Sequence, residues 1–187
     1  MIWLGIVLFF GLHLIPMLPG IRSRLIGRFG ENRYKGLFSL LSLTGLILIG
    51  TGYVHMGYRE LWTPPVWAGH LALTVMPIVF ILWTAAEVKG HIRKKIKHPM
   101  IIGVILWALV HLANNGDRAS LYLFGSFALF SVFSLISSIR RSKVPEYADA
   151  KVSHDAAAVG IGLVLFTVLL LWGHEFLFGV TPFYWES

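Results

Sequence analysis

The chain has 187 residues and a formal net charge of +7, with 56% hydrophobic and only 13% charged residues. A soluble domain carries about 25% charged residues, so this balance leaves too much apolar surface for one small aqueous core and makes lipid the expected solvent. The absence of cysteine excludes disulfides, iron–sulfur clusters, thiolate-ligated haem and c-type haem attachment.

A transmembrane helix needs about 20 mainly apolar residues, and six stretches qualify in chain order. The first, Ile2–Leu18, lacks a charged leading segment and a small-residue cleavage pattern, so it reads as a retained span rather than a signal peptide. Gly36–Met56 and Val66–Ala86 follow. The fourth, Pro99–Asn115, is short and ends in Asn114-Asn115-Gly116-Asp117, residues that favour a turn. Ser120–Ile139 and Ala156–Phe178 complete the set. The fold class expected is all-α, a polytopic transmembrane helix bundle of about six spans, with residues 1–187 forming a single domain.

Charge alternates along the connections. The first loop carries Arg22, Arg24, Arg28, Arg33 and Lys35; the third carries Lys89, Arg93, Lys94, Lys95 and Lys97; the fifth carries Arg140, Arg141, Lys143 and Lys151. Of the 16 Lys and Arg, only Arg59 and Arg118 fall in the other connections. The positive-inside rule then puts these three loops in the cytoplasm and both termini on the non-cytoplasmic side. The net charge reads as topogenic, with some attraction to anionic headgroups, and gives no nucleic-acid reading. Trp3, Tyr53, Tyr58, Trp62, Trp67, Tyr122, Tyr184 and Trp185 fall near the expected outer interface, where amphipathic rings prefer to sit. Gly45, Gly50 and Gly52 in the second span, and Gly160 and Gly162 in the sixth, are expected to let helices approach closely.

Ionisable groups within a bilayer are costly unless they face a bundle interior, so the histidines are the candidates for function. At about 1.5 Å per residue, His13 lies some 18 Å into the first span, and His111 lies about 19 Å from His98 along the fourth. His55, His70 and His174 belong at or just beneath the outer interface; His91, His98 and His154 belong at the cytoplasmic edge. Helical periodicity puts Trp107, His111, Asn114 and Arg118 on one face of the fourth helix. It gives His70, Thr74, Pro77 and Thr84 a stripe on the third, and Gly160, Thr167 and His174 a stripe on the sixth. Histidines from several helices in one apolar bundle are the arrangement that holds a b-type haem between two imidazoles. A plainer reading competes at each position: boundary residues at His55, His70 and His174, solvated loop or cap residues at His91 and His154, a helix start at His98-Pro99, and imidazoles hydrogen-bonded to a neighbouring helix at His13 and His111. Only Glu87 and Glu175 sit at span ends, so the buried carboxylates of a di-iron bundle are absent, and no hydrolase, phosphate-loop or dinucleotide motif occurs.

The stretch from His98 to Gly125 contains His98-Pro99-Met100, Gly103, Leu106-Trp107-Ala108, His111-Leu112, Asn114-Asn115-Gly116-Asp117, Ser120 and Leu123-Phe124-Gly125. With His13-Leu14-Ile15-Pro16, Leu61-Trp62 and Pro64, and the ending from His174 to Pro182, it resembles the NnrU family over essentially the whole chain. The resemblance implies a multi-span membrane protein associated with nitric oxide and nitrite metabolism. The plant 15-cis-ζ-carotene isomerase, a haem b protein, is similar to this family. By that resemblance His13 and His111 stand at haem-ligand positions and His55 at a third position of the ligand set. Ala108 stands where the plant enzyme has a cysteine, so a thiolate-to-imidazole ligand switch is unavailable here.

The expected function is therefore a haem b-binding inner-membrane protein with a redox or isomerase-type role. His13 and His111 are its axial metal ligands, His55 or His70 the alternative, and Trp107 and Asn114 line the cofactor. The alternative is a non-catalytic membrane accessory factor for nitrite and nitric oxide metabolism. Expected partners are the lipid bilayer with either nitrogen-oxide reductase components or a lipid-soluble substrate. A third reading, a small transporter, uses the polar stripe. Whether the chain is an enzyme is left open by the sequence.

Overall fold

The structure is a computed structural model that describes residues 1–141 and 149–182. Lys143, Tyr184 and Trp185, expected at the two interfaces, lie outside the described residues. Among the described residues the secondary structure is helical, with one isolated antiparallel bridge between Glu60 and Asp117. Four helices are long and apolar enough to cross a membrane: α3 (Glu31–His55), α4 (Ala68–Glu87), α7 (Arg118–Arg140) and the run Val152–Phe178. A fifth candidate is the bent pair Ile2–Met17 and Pro19–Phe29. The predicted fourth span is a shorter apolar helix, α6 (Pro99–Asn114). The chain is a multi-pass membrane protein whose apolar helices suit contact with lipid.

The expected first loop is instead a helix. α1 (Ile2–Leu14) runs into a 3-10 turn at Ile15–Met17, and α2 (Pro19–Phe29) then departs at 97°. Two prolines make the corner, Pro16 within the 3-10 turn and Pro19 after it. Pro19 opens α2, where its missing N–H costs nothing. Leu18, which precedes it, takes φ −113° and ψ 84°, outside the helical region that a following proline disfavours. Gly30, at φ 77°, separates α2 from α3. The third loop likewise contains a short helix, α5 (His91–Ile96).

Two compact units emerge, Met1–Trp62 with Gly116–Ser126, and Thr63–Asn115 with the chain from Phe127 onward. In the first unit α1 packs on α3 through glycines. A Cβ at Gly5 would lie 2.6 Å from the Ile49 amide nitrogen, and one at Gly52 would lie 2.6 Å from Ile2 Cα. Gly45 faces Phe9 in the same seam. Gly50 does not share this role: a Cβ there meets nothing within 4 Å.

In the second unit α4 packs on α6 and on α8 (Val152–Val168). Gly162 lets α8 approach α4 so closely that a Cβ would lie 2.9 Å from Ile81 Cα, whereas Gly160 faces open space. Thr84 Oγ1 donates to the Ala158 carbonyl across the same seam at 2.7 Å. Asn114 Nδ2 donates to Ala68 O at 3.0 Å, joining α6 to the start of α4. Asn114, expected as a turn residue or cofactor contact, thus closes a helix pair.

His91 and His154, read from sequence as solvated loop or cap residues, each bond to another segment, and His91 opens α5 and stays exposed. Asp155 on α8 accepts the backbone amides of His91 and Ile92 at 3.0 and 2.9 Å and the His91 ring nitrogen at 2.8 Å. These bonds cap the N-terminus of α5 from another helix. His154 Nδ1 donates to Lys89 O at 3.1 Å.

Candidate functional site

Three candidate histidines share one local device. The Nδ1–H groups of His13, His55 and His111 donate to the carbonyls of Phe9, Thr51 and Trp107, four residues earlier, at 2.7, 2.7 and 2.8 Å. A carbonyl only accepts, so Nδ1 carries the proton and Nε2 carries the lone pair. A histidine that ligates a metal commonly donates its second ring nitrogen to a carbonyl, which fixes tautomer and ring orientation. The sequence alone shows no such bond. The shared signal is only a helical residue with a carbonyl one turn behind it.

In the first unit His13 is half-buried on α1, stacked on Phe9 and 5.2 Å between ring centroids from Phe38 on α3. His55 ends α3 and is exposed. From Phe38 to His55 is 17 residues of continuous helix, a rise of about 26 Å. His13 and His55 therefore do not meet on one iron.

In the second unit the helix registers bring three histidines to one level. Measured from the Asn114–Ala68 contact, His111 lies about 4.5 Å down α6 and His70 about 3 Å down α4. Measured from the Gly162–Ile81 contact, His174 and His70 lie about 18 and 16 Å along their antiparallel helices. The shared level in the sequence reading is thus present within this unit, but the faces differ from those expected. His70 is turned about 200° from buried Ala68 and is exposed, so it leaves the α4–α6 seam.

His174 also leaves its expected stripe. Between α8 and α9 (His174–Phe178) the chain forms a π-helical segment, Leu169–Gly173, in which the His174 amide donates to Leu169 O, five residues back. One extra residue in a turn sets back the phase of everything after it by about 100°. Gly160 and Thr167 remain on an exposed stripe, whereas His174 rotates toward the side that carries Ala158 and Gly162 and is half-buried. Its Nδ1 donates to Val180 O at 2.6 Å.

His111 is half-buried, and its ring lies 5.2 Å from that of Trp107. Trp107 in turn meets Phe127 edge-on at 5.5 Å. An aromatic wall beside a tautomer-fixed imidazole can shelter a flat apolar ring and offer it a nitrogen lone pair. Among the described residues no group of three or more His, Asp or Glu is placed to hold a metal ion by itself.

Sequence reasoning missed a polar network in the first unit. Asp117 is only 6% exposed, and its Oδ1 accepts the amides of Ala119 and Ser120 at 2.9 and 3.0 Å, capping α7. Ser120 Oγ donates to Asp117 Oδ2, so the 3.0 Å contact between Tyr53 Oη and Ser120 Oγ has the tyrosine as donor. An Asp immediately before an apolar run was the available cap signal. Asp117→Ala is expected to lower stability by about 2 kcal/mol, the combined cost of a lost cap and an orphaned buried hydroxyl. A denaturant titration in micelles measures this; a change below about 0.5 kcal/mol would show that water replaces the carboxylate.

The family model described as NnrU protein matches residues 1–182. The chain belongs to the NnrU family. No curated protein and no solved structure matches it. NnrU membership covers both compact units, and so covers His13, His55, His70, His111 and His174 alike.

Proposed function

We propose that this NnrU protein binds haem b in a bacterial inner membrane and serves a redox or isomerase-type role. In this reading the chain makes six spans with both termini on the non-cytoplasmic face, as the alternation of basic residues indicates. His111 and His13 are the residues that would hold its iron, each through Nε2. The bond from His111 Nδ1 to Trp107 O carries the reading, because it holds Nε2 in the basic form that a haem iron takes. The same bond at His13 supports the second assignment. Bound haem supplies a one-electron centre whose potential its axial ligands and surroundings tune. Trp107 packs beside His111 and limits how far the imidazole turns.

The test is a reduced-minus-oxidised optical spectrum of the purified chain beside His13→Ala and His111→Ala. The expected result is a sharp Soret and α band in the parent, lost or shifted in each variant. A featureless parent spectrum after expression with added haem precursor would overturn the reading. The accessory-factor alternative is favoured by one observation, the exposed Lys94 and Lys95 on α5, which offer a charged surface to a nitrogen-oxide reductase component.

A further inference from the structure

At the basic end of the second unit, a groove of about 320 Å³ lies where α4, α5 and the start of α6 meet. One wall carries the cations Arg93 and Lys97, with His98 beside them; Met100 and Ile101 form an apolar wall. Each part is held in place by the fold. Asp155 caps α5 at His91 and Ile92 and so fixes the backbone of Arg93, the next residue. Lys97 has φ 67° and ψ −45°, and His98 N donates to Ile96 O at 2.8 Å around it. That is a γ-turn of the rare, strained kind. Lys97 is the one non-glycine residue at positive φ among the described residues. Strain of this sort persists where surrounding structure fixes it and clusters at binding sites.

Two further features point to a ligand. His98 Nε2 is buried without a hydrogen-bond partner, a costly state for a polar nitrogen unless a ligand or water completes it. Pro99 then opens α6, a 16-residue helix; Pro99 has no N–H and Ile102 N donates to His98 O, which leaves the Met100 and Ile101 amides without intrahelical acceptors and able to favour an anion. Among the described residues Glu87 is the single acidic group in the groove wall. It disfavours a bare phosphate and suits a headgroup that also carries hydroxyl donors.

We propose that this groove binds an anionic phospholipid with a hydroxylated headgroup, of which phosphatidylglycerol is the simplest. The phosphodiester lies against Lys97, Arg93 and the α6 amides, a headgroup hydroxyl donates to Glu87, and the acyl portion lies along Met100 and Ile101. A cationic wall joined to an apolar one, at the end of α4, a helix of membrane-spanning length, is the complement of such a lipid. The site does not depend on haem and stands whether or not haem binds.

The test uses the full chain, delipidated in detergent and titrated with phosphatidylglycerol, phosphatidylcholine or inorganic phosphate, read by native mass spectrometry. One phosphatidylglycerol per chain is expected to persist at activation energies that strip phosphatidylcholine. Lys97→Gly is the informative variant, because it removes the ammonium while relaxing the backbone, so folding is preserved. It should weaken phosphatidylglycerol binding about tenfold, whereas Lys94→Ala, outside the groove, should leave binding unchanged. Equal loss in both variants would reduce the effect to general basic charge and overturn the site. Equal retention of the two lipids, or displacement of phosphatidylglycerol by millimolar inorganic phosphate, would overturn the lipid assignment.

Discussion

Gly52→Leu is expected to pry α1 from α3 and destabilise the first unit by about 3 kcal/mol, near the upper end of overpacking costs. The reason is geometric: a Cβ at this position already collides with the Ile2 backbone, and backbone cannot rotate out of the way as a side-chain tip can. The larger leucine can be accommodated only by separating the helices along the seam where Gly5 and Gly45 also sit. Gly50→Leu, two residues away, provides the contrast, since a Cβ there meets nothing within 4 Å. It should change stability by less than about 0.5 kcal/mol, as surface replacements do. Denaturation in mixed micelles, followed by far-UV circular dichroism, measures both. Equal effects of the two substitutions would mean that the seam yields, and that glycine at position 52 is incidental.

Deletion of Leu170 should have the second large effect, this time on direction rather than stability. Removing one residue from Leu169–Gly173 returns the segment to α-helical register and rotates position 174 by about 100°, onto the stripe of Gly160 and Thr167. The chain contains no cysteine, so a single His174→Cys substitution carries a spin label without background. In the parent register the label should be immobilised and poorly accessible to oxygen. In the deletion it should become mobile and oxygen-accessible, matching labels at positions 160 and 167. An unchanged line shape would show that the π segment re-forms with neighbouring residues and that its position is not encoded by length alone.

These two sites mark the boundary of what the sequence reveals. Long apolar runs are dictated by the bilayer, so the limits of α3, α4, α6 and α7 fall within a few residues of those read from composition. Charge-rich segments obey no such rule. Arg22, Arg24 and Arg28 look like a loop because they are basic, yet Pro19 and the residues after it form a helix at 97° to α1. The π segment is invisible for the opposite reason. Leu169, Leu170, Leu171 and Trp172 are uniformly apolar, so no periodic signal shows that a turn holds an extra residue, and the face assigned to His174 shifts with it. The candidate histidines were legible by residue type and depth because imidazoles in apolar runs are rare. Their separation was not legible: Phe38 places His13 far along α3 from His55, and the Ala68–Asn114 register sets His70 and His111 level on different faces. Asp117 was overlooked because a turn-forming motif hid a buried cap.

The early end of α1 has a consequence for the surrounding lipid. Its 13 residues rise only about 20 Å before the 3-10 turn, and the 16 residues of α6 rise about 24 Å, against a hydrocarbon thickness near 30 Å. The 25 residues of α3 rise about 38 Å. In the proposed six-span arrangement the bilayer thins where it borders the short helices, while α3 keeps its charged N-terminal end, Glu31, Arg33 and Lys35, among the headgroups. Each ångström of mismatch costs a fraction of a kcal/mol, enough to bias the protein toward thin membranes and to draw short-chain lipids around α1 and α6.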